Sequence, residues 1–403
     1  MMPTGQRRVL IEGWRFSTTS LAVLNMYQLI EMVGHPGIKI YHRDLPTGIL
    51  RLKHQRGLWT DEDESRVAAI AEPAPEIRLD ATLRIAFPMS TLADPQSNQT
   101  FVFGLSEFGI IEKDKCDGAS VVESLRRRGI QFITSSEFSR QGFLRSGAPP
   151  ESVHVVPLGI DPAVMRPVDV TVREQMRAKY GWSDRFVVLH VSTLSLNKGV
   201  GQLLIGFSHF ASRNPEALLV LKCNSPFDTP EEALKSVFEQ LPSHVVQSLQ
   251  NRIVCFGKTF NFGDMASLYQ SADIYAAPYI AEGFNLPVLE AAACGLPSIC
   301  TASGPTDEFT TEEFCLRIPS QVVSNAEIEQ LLGLGARILL PDVDQFASLL
   351  SFALENTSWR TRASQTATRQ THQQFTWAKT TQRLLKLLLP DTGPFKISSI
   401  SMR

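Results

Sequence analysis

Glu282 and Glu290 are separated by seven residues in the run AEGFNLPVLEAAACGLPSICTASGPTDEF. Gly283 gives a permissive backbone, Pro287 suits the first turn of a helix, and Val288, Leu289, Ala291 and Ala292 carry that helix to Gly295, expected at C′. The unpaired N–H groups of a helix start attract phosphate. Carboxylates in the same place do not bind phosphate. They accept hydrogen bonds from hydroxyls. A phosphate site with hydroxyl acceptors beside it describes a nucleotide sugar. On its own, the spacing fits better a helix start favoured by a nearby carboxylate through the macrodipole, with Glu282 a solvated loop residue. Its setting decides for a site. The run follows the strand-like DIYAAPYI and precedes the strand-like PSICTA, and ligands of open α/β sheets bind beyond the carboxyl ends of their strands.

A second run, STLSLNKGVGQLL, follows FVVLHV and opens a helix. Gly199 and Gly201 begin a G-x-G-x-x-G pattern, but Leu204 holds the third place, so the dinucleotide fingerprint fails. What survives is a strand-to-helix turn with Lys198 at the helix start, where an ammonium can meet a diphosphate as a point charge. Ser192 or Thr193 adds a hydroxyl. Glu107, in TFVFGLSEFGI, lies just past an apolar run, where a functional and a solvated carboxylate are equally reasonable. Asp61-Glu62-Asp63 has the D-x-D form that can hold a divalent cation, but no strand leads into it. It reads as a solvated acidic loop, and the expected metal site is none.

The elements that must position these residues are parallel α/β layers. The chain has 403 residues, enough for two domains, and its 43% hydrophobic content is that of a globular protein. A net charge of -2 and a pI of about 6.5 argue against nucleic acid as a partner. The first twenty residues carry Arg7, Arg8, Glu12 and Arg15 and read as neither signal peptide nor anchor. Nowhere do roughly 18 apolar residues run together. The six cysteines form no C-x-x-C pair and read as reduced, mostly buried thiols of a cytoplasmic protein. The eight histidines show no ligand spacing.

Apolar β-rich runs alternate with amphipathic helical ones. RRVLIEGW, IKIYHR, LRIAF, TFVFGL and IQFITS read as strands of a first half, with a helix over SLAVLNMYQLIEMV capped by Ser20 and another after Ser136. Residues 51–80 read as an irregular excursion and 162–182 as a connector. FVVLHVS, ALLVLKC, RIVCFG, DIYAAP and PSICTA form a second series. Trp377, Leu384, Leu385 and Leu388 share one helical face near the end, Pro390 stops that helix, and the last residues read as frayed.

SSEFSRQGFLRSGAPPESVHVVPLGIDP, the turn around Lys198, and MASLYQSADIYAAPYIAEGFNLPVLEAAACGLPSICT together resemble the retaining glycosyltransferases of the GT-B fold, a large family that includes sucrose-phosphate synthases and bacterial α-mannosyl- and α-glucosyltransferases. The resemblance implies two Rossmann-like domains facing across a cleft, with the C-terminal helix packing back on the first. The expected divisions are 1–165 for the acceptor domain, 166–372 for the donor domain, and 373–403 for a crossover helix and tail. It implies that Glu290 accepts from the donor's ribose hydroxyls and Glu282 from the transferred sugar. Backbone N–H groups of Gly283, Phe284, Asn285 and Leu286 approach the diphosphate or sugar, and Lys198 neutralises the diphosphate. Two departures stand out. Thr193 occupies the place where many members have an arginine, and Ser106-Glu107 the place where many have a histidine. The expected activity is hexosyl transfer from a UDP- or GDP-sugar to a hydroxyl of a glycan, glycolipid or small molecule. Lys198, Glu282 and Glu107 would act in catalysis, with no cofactor and no metal. The reading leaves open an association with the inner face of a membrane. A non-catalytic nucleotide-sugar-binding subunit is the rival, and an epimerase or phosphorylase of the same fold a third reading.

Overall fold

The computed structural model describes residues 6–46, 54–117, 120–224 and 230–390. The first domain is a six-stranded parallel sheet of β1 (Arg7–Gly13), β2 (Ile38–Asp44), β3 (Leu79–Ile85), β4 (Ser97–Phe103), β5 (Ile130–Thr134) and β6 (Val153–Val155), in the order β2-β1-β3-β4-β5-β6. The second domain repeats the plan with β7 (Phe186–Thr193), β8 (Ala217–Asn224), β9 (Ile253–Phe256), β10 (Ile274–Ala277), β11 (Ser298–Thr301) and β12 (Cys315–Ile318), in the order β12-β11-β10-β7-β8-β9. A two-stranded antiparallel ribbon, β13 (Ser320–Val323) and β14 (Ile338–Pro341), completes it.

Helices α1 (Ser20–Met32), α2 (Asp61–Ala68), α3 (Val121–Leu125) and α4 (Glu137–Arg145) belong to the first domain. Then come α5 (Val170–Tyr180), α6 (Val200–Ala211), α7 (Pro230–Glu239), α8 (Ser243–Ser248), α9 (Phe262–Ser271), α10 (Leu286–Ala293), α11 (Ala326–Leu332), α12 (Val343–Glu355), α13 (Thr357–Gln374) and α14 (Trp377–Leu388). The chain is thus an α/β protein of two Rossmann-like domains, the GT-B arrangement. No helix among the described residues is long and apolar enough to cross a membrane.

α14 returns to the first domain. Its Trp377, Leu384, Leu385 and Leu388 are all buried, Trp377 stacks on Tyr27 of α1 at 4.8 Å, and Thr381 donates to Gln28 at 2.9 Å. One continuous cluster of buried apolar side chains therefore runs from Val9 and Leu83 through Leu385 to Val187 and Leu289. The two sheets therefore share one apolar core.

Three readings change, and a fourth is not reached by the described residues. Thr19, not Ser20, caps α1, its hydroxyl accepting from the Ala22 N–H. Residues 61–68 of the expected excursion form α2, so Asp61-Glu62-Asp63 is the first turn of a helix rather than a loop. Asp63 bonds Thr60 at 2.7 Å, and the neighbouring buried Glu64 accepts from three N–H groups, those of Gly57, Leu58 and Trp59. The connector at 162–182 contains a full helix, α5, ended by Gly181 in the left-handed region. The expected frayed tail, 391–403, lies outside the described residues.

Candidate active site

The site is built at the carboxyl ends of β7 and β10, which are adjacent in the second sheet. After β7 the chain makes a tight 3-10 turn, Leu196–Lys198, and Gly199 at φ 68 lets α6 begin at once. After β10 the chain runs through Glu282 to Asn285, which stands at the N-cap of α10 in the left-handed region, with Pro287 in the first turn. Neither N-cap residue donates or accepts a side-chain cap bond. Two helix N-termini with unsatisfied N–H groups therefore sit side by side at one edge of the cleft, the arrangement that favours an anion.

Lys198 stands between them. Its Nζ donates to Glu282 Oε1 at 2.8 Å and to Glu107 Oε1 at 3.4 Å. Glu107 comes from the first domain, so this contact crosses the cleft. Lys115 also reaches Glu107, at 3.2 Å, and Asn197 donates to it at 3.3 Å. Burial works against the Lys198 ammonium, but Glu282 and then Glu107 outweigh it and hold the pKa above the usual lysine range. Burial also dominates at Glu282 and raises it, with Lys198 pulling down and Glu107 pushing up. At Glu107 burial is outweighed by Lys198 and Lys115 together, and its pKa falls.

Glu290 takes no part in that cluster. It lies in the second turn of α10, half-buried, where Tyr269 of α9 donates to Oε2 at 2.7 Å. Among the described residues Oε1 has no hydrogen-bond partner. Burial lifts its pKa from the ordinary 4.5 to about 7, the tyrosine bond opposing. The loop residues divide. Gly283 packs so closely on Leu105 that a side chain would press into it, and its carbonyl accepts from Ser136 of the first domain at 2.6 Å. Phe284 is buried and stacks on Phe309 at 4.6 Å. Leu286 is half-buried at the first position of α10. The Thr193 hydroxyl meets Ser195 at 3.0 Å, and Ser195 in turn donates to Asn197.

Four contributors have no signal in the sequence. Lys115, Asn197 and Tyr269 gain their roles only through partners brought together by the fold. The fourth is the buried His190, which bonds Ser192, a residue the sequence already offers as a hydroxyl. The carbonyl of Ala276, 2.7 Å from His190 Nδ1, can only accept, so Nδ1 carries the proton and Nε2 accepts from Ser192 at 2.7 Å. Burial keeps this imidazole neutral, with a pKa of about 4, and Ser192 is left presenting lone pairs at the end of β7.

The sequence profile of the family described as Glycosyl transferases group 1 matches residues 185–354. That match spans most of the second domain, which is similar to a group 1 glycosyltransferase domain and stands on a GT-B framework. The matched segment holds Lys198, Glu282 and Glu290. Over 153 residues the chain is 30% identical to the mannosylfructose-phosphate synthase of Agrobacterium fabrum, covering 38% of this chain and 33% of that protein. It is 27% identical over 262 residues to the GDP-mannose-dependent alpha-(1-6)-phosphatidylinositol monomannoside mannosyltransferase of Mycolicibacterium smegmatis, covering 60% and 63%. Each match stops short of two thirds of the relative's own length. A crystal structure of Anabaena HepE in complex with UDP and glucose superposes with a TM-score of 0.68 at 14% identity, over 95% of this chain and 99% of that one. That likeness is one of fold.

Proposed function

We propose that the protein is a retaining glycosyltransferase that moves a hexosyl unit from a UDP- or GDP-sugar to an acceptor hydroxyl. The observation that carries this reading is Lys198, held between Glu282 and Glu107 where two uncapped helix N-termini, those of α6 and α10, follow adjacent strands. An ammonium flanked by free N–H groups suits a diphosphate. The carboxylates of Glu282 and Glu290 suit the hydroxyls of the transferred sugar and the ribose. The names of the mannosyl-transferring and sugar-phosphate-forming relatives support sugar transfer.

In the reaction the bond from the anomeric carbon to the diphosphate breaks. Lys198 and the N–H groups of α6 and α10 take up the charge that develops on the leaving group, an electrostatic contribution expected to be the largest single one. The acceptor oxygen bonds to the anomeric carbon from the same face, and its proton passes to a departing phosphate oxygen. Glu107, anchored by Lys115 on the acceptor side, orients that hydroxyl. Cleft closure keeps water from the donor. Lys198 and the helix N-termini stand in for a metal, so turnover is expected to persist in excess EDTA. The acceptor is a glycan, glycolipid or small molecule bound by the first domain.

One observation favours a second reading. Thr193 spends its hydroxyl on Ser195 and brings no charge to the diphosphate, which suits a subunit that binds a nucleotide sugar without turning it over. A thermal-shift screen with UDP-, GDP- and ADP-sugars identifies the donor, since stabilisation grows with ligand concentration over affinity. Acceptor assays with that donor, read by proton NMR at the new anomeric centre, then decide. Product of retained configuration is the expected result. Donor binding with no product from any acceptor favours the binding subunit, and inverted product removes the retaining mechanism.

A further inference from the structure

Lys222 is a buried cation without a counter-charge among the described residues. It lies near the end of β8 and is only 5% exposed. Its Nζ donates to the carbonyl of its neighbour Cys223 at 3.3 Å and lies 5.5 Å from the ring of Phe260. No carboxylate among the described residues pairs with it. Burial accordingly lowers its pKa, the Cys223 and Cys255 thiols drawing it partly back. An ammonium has three donors, and one long bond to a carbonyl with a distant ring leaves most of that capacity unused. A desolvated, unpaired charge is costly, so its retention calls for a partner that the described residues do not supply.

The surroundings say what kind. The strand register sets Lys222 beside Val191 of β7 and Phe256 of β9, all on one face. Phe256 and Phe260 are tilted rings 5.5 Å apart. Both are half-buried, as is Val191, so the ammonium lies beneath aromatic rings that keep part of their surface exposed. The same wall connects to Glu290. Tyr275 donates to the Val191 carbonyl at 3.1 Å, and its ring lies 6.0 Å from Tyr269, the residue that holds Glu290. β8 stands two strands from β10, roughly 10 Å across the sheet. A nucleotide with its phosphates at α6 and α10 and its ribose on Glu290 would carry its base over about that span.

We propose that Lys222, with Phe256 and Phe260, is the base subsite of the nucleotide site and selects a base with a ring carbonyl oxygen, uracil or guanine, over adenine. The inference rests on the donor-site reading above. A ring carbonyl accepts from the ammonium while the ring lies against the aromatic wall. Adenine presents an amino group, itself a donor, in place of the exocyclic oxygen, and leaves the buried ammonium poorly matched. A site built around one hydrogen bond rejects analogues that lack its partner far more strongly than a merely apolar pocket does.

Calorimetric titration of the full chain with UDP, GDP and ADP tests this, using wild type, Lys222→Met and Glu290→Ala. Wild type is expected to bind UDP or GDP at least about tenfold more tightly than ADP. Lys222→Met, similar in length and uncharged, should weaken that oxo-base nucleotide about tenfold and leave ADP within about twofold. In wild type, the same nucleotide should also shield Lys222 from acylation by an anhydride reagent, read by peptide mass spectrometry. That measurement needs no variant to fold. An unchanged preference in Lys222→Met, a wild-type preference for ADP, or unshielded acylation overturns the base subsite. If Glu290→Ala still weakens nucleotide binding, the donor site survives that result. Wild type that binds no nucleoside diphosphate overturns both.

Discussion

Glu290 carries one hydrogen bond, from Tyr269, and a seat buried enough to lift its pKa from 4.5 to about 7. As a carboxylate it accepts at both oxygens. As a carboxylic acid it loses one acceptor and competes with the hydroxyls it is meant to receive. Nucleotide affinity should therefore rise as the pH passes from about 6 to 8, by roughly tenfold if one charged hydrogen bond is at stake. Titration of UDP and GDP across that range measures it, with Glu290→Gln expected to be weaker and flat. A flat wild-type profile would separate Glu290 from the ligand. The same shift has a folding consequence of the opposite sign. Between pH 4.5 and about 7 the folded state holds a proton on Glu290 that the unfolded chain has released. The folded state binds more protons there, so stability falls as the pH rises through that window and is level above it. The melting temperature of wild type should drop relative to Glu290→Gln over the same interval.

At the scale of elements, the turn from β7 into α6 is what brings Lys198 to the cluster. Gly199 takes φ 68, and a Cβ placed there would collide with the carbonyl oxygen of Pro278. Gly181, at φ 74, has nothing within 4 Å of the same atom. Gly181→Ala should cost only the strain of a left-handed residue, about 1–2 kcal/mol. Gly199→Ala adds the collision and should cost more, with lost nucleotide binding because the loops carrying Lys198 and Glu282 are forced apart. Urea unfolding and calorimetry on both variants check this. Equal losses of stability, or intact binding in Gly199→Ala, would mean that the turn does not set the site. The strands β7 to β11 and the helices after β7 and β10 were legible because each is an apolar run broken by a loop, and burial follows hydrophobic pattern. The missed elements are those built from polar contacts. In α5 only Arg177 is buried, and it binds the carbonyls of Ser271, Trp182 and Arg185 and the carboxylate of Asp273. In α2 only Glu64 and Val67 are buried. Neither leaves an apolar period to read. In β12, Cys315–Ile318, Arg317 breaks the apolar run that marks β9 to β11, strands of the same length. Within the site, Glu282 and Lys198 stood at readable strand ends, but the Glu107 contact spans 91 residues of sequence and exists only because the two domains meet.

For the whole molecule, the question is what keeps the domains together around that contact. Besides the Lys198 and Asn197 contacts to Glu107, further links cross the cleft. Ser136 donates to the Gly283 carbonyl at 2.6 Å. The ribbon in the second domain reaches over so that the Arg337 N–H donates to the Phe108 carbonyl at 2.9 Å. Glu308 places its two carboxylate oxygens on the N–H groups of Glu137 and Phe138, at 2.7 and 2.6 Å. These are the first N–H groups of α4, which the helix cannot pair itself. Glu308 thus does for α4 what an N-terminal acidic residue does within a chain, but from the opposite domain, and its charge also meets the positive end of the helix dipole. Opening the cleft strips α4 of this acceptor, so closure and helix stability are coupled. Loss of a capping acceptor costs about 1 kcal/mol, enough to shift a nearly balanced open–closed equilibrium several-fold. Glu308→Ala should therefore enlarge the ligand-free molecule in small-angle X-ray scattering, above the roughly 21 Å radius of gyration of a compact chain of this size, while the UDP- or GDP-bound variant returns towards the wild-type value. Because Ser136 already caps α4 from within at 3.0 Å through the Ser139 N–H, the helix itself should persist, visible as an unchanged far-ultraviolet circular dichroism spectrum. An expanded variant with that spectrum intact identifies Glu308 as a closure contact. A radius of gyration identical to wild type in the absence of ligand would assign closure to the shared core beneath α14 instead.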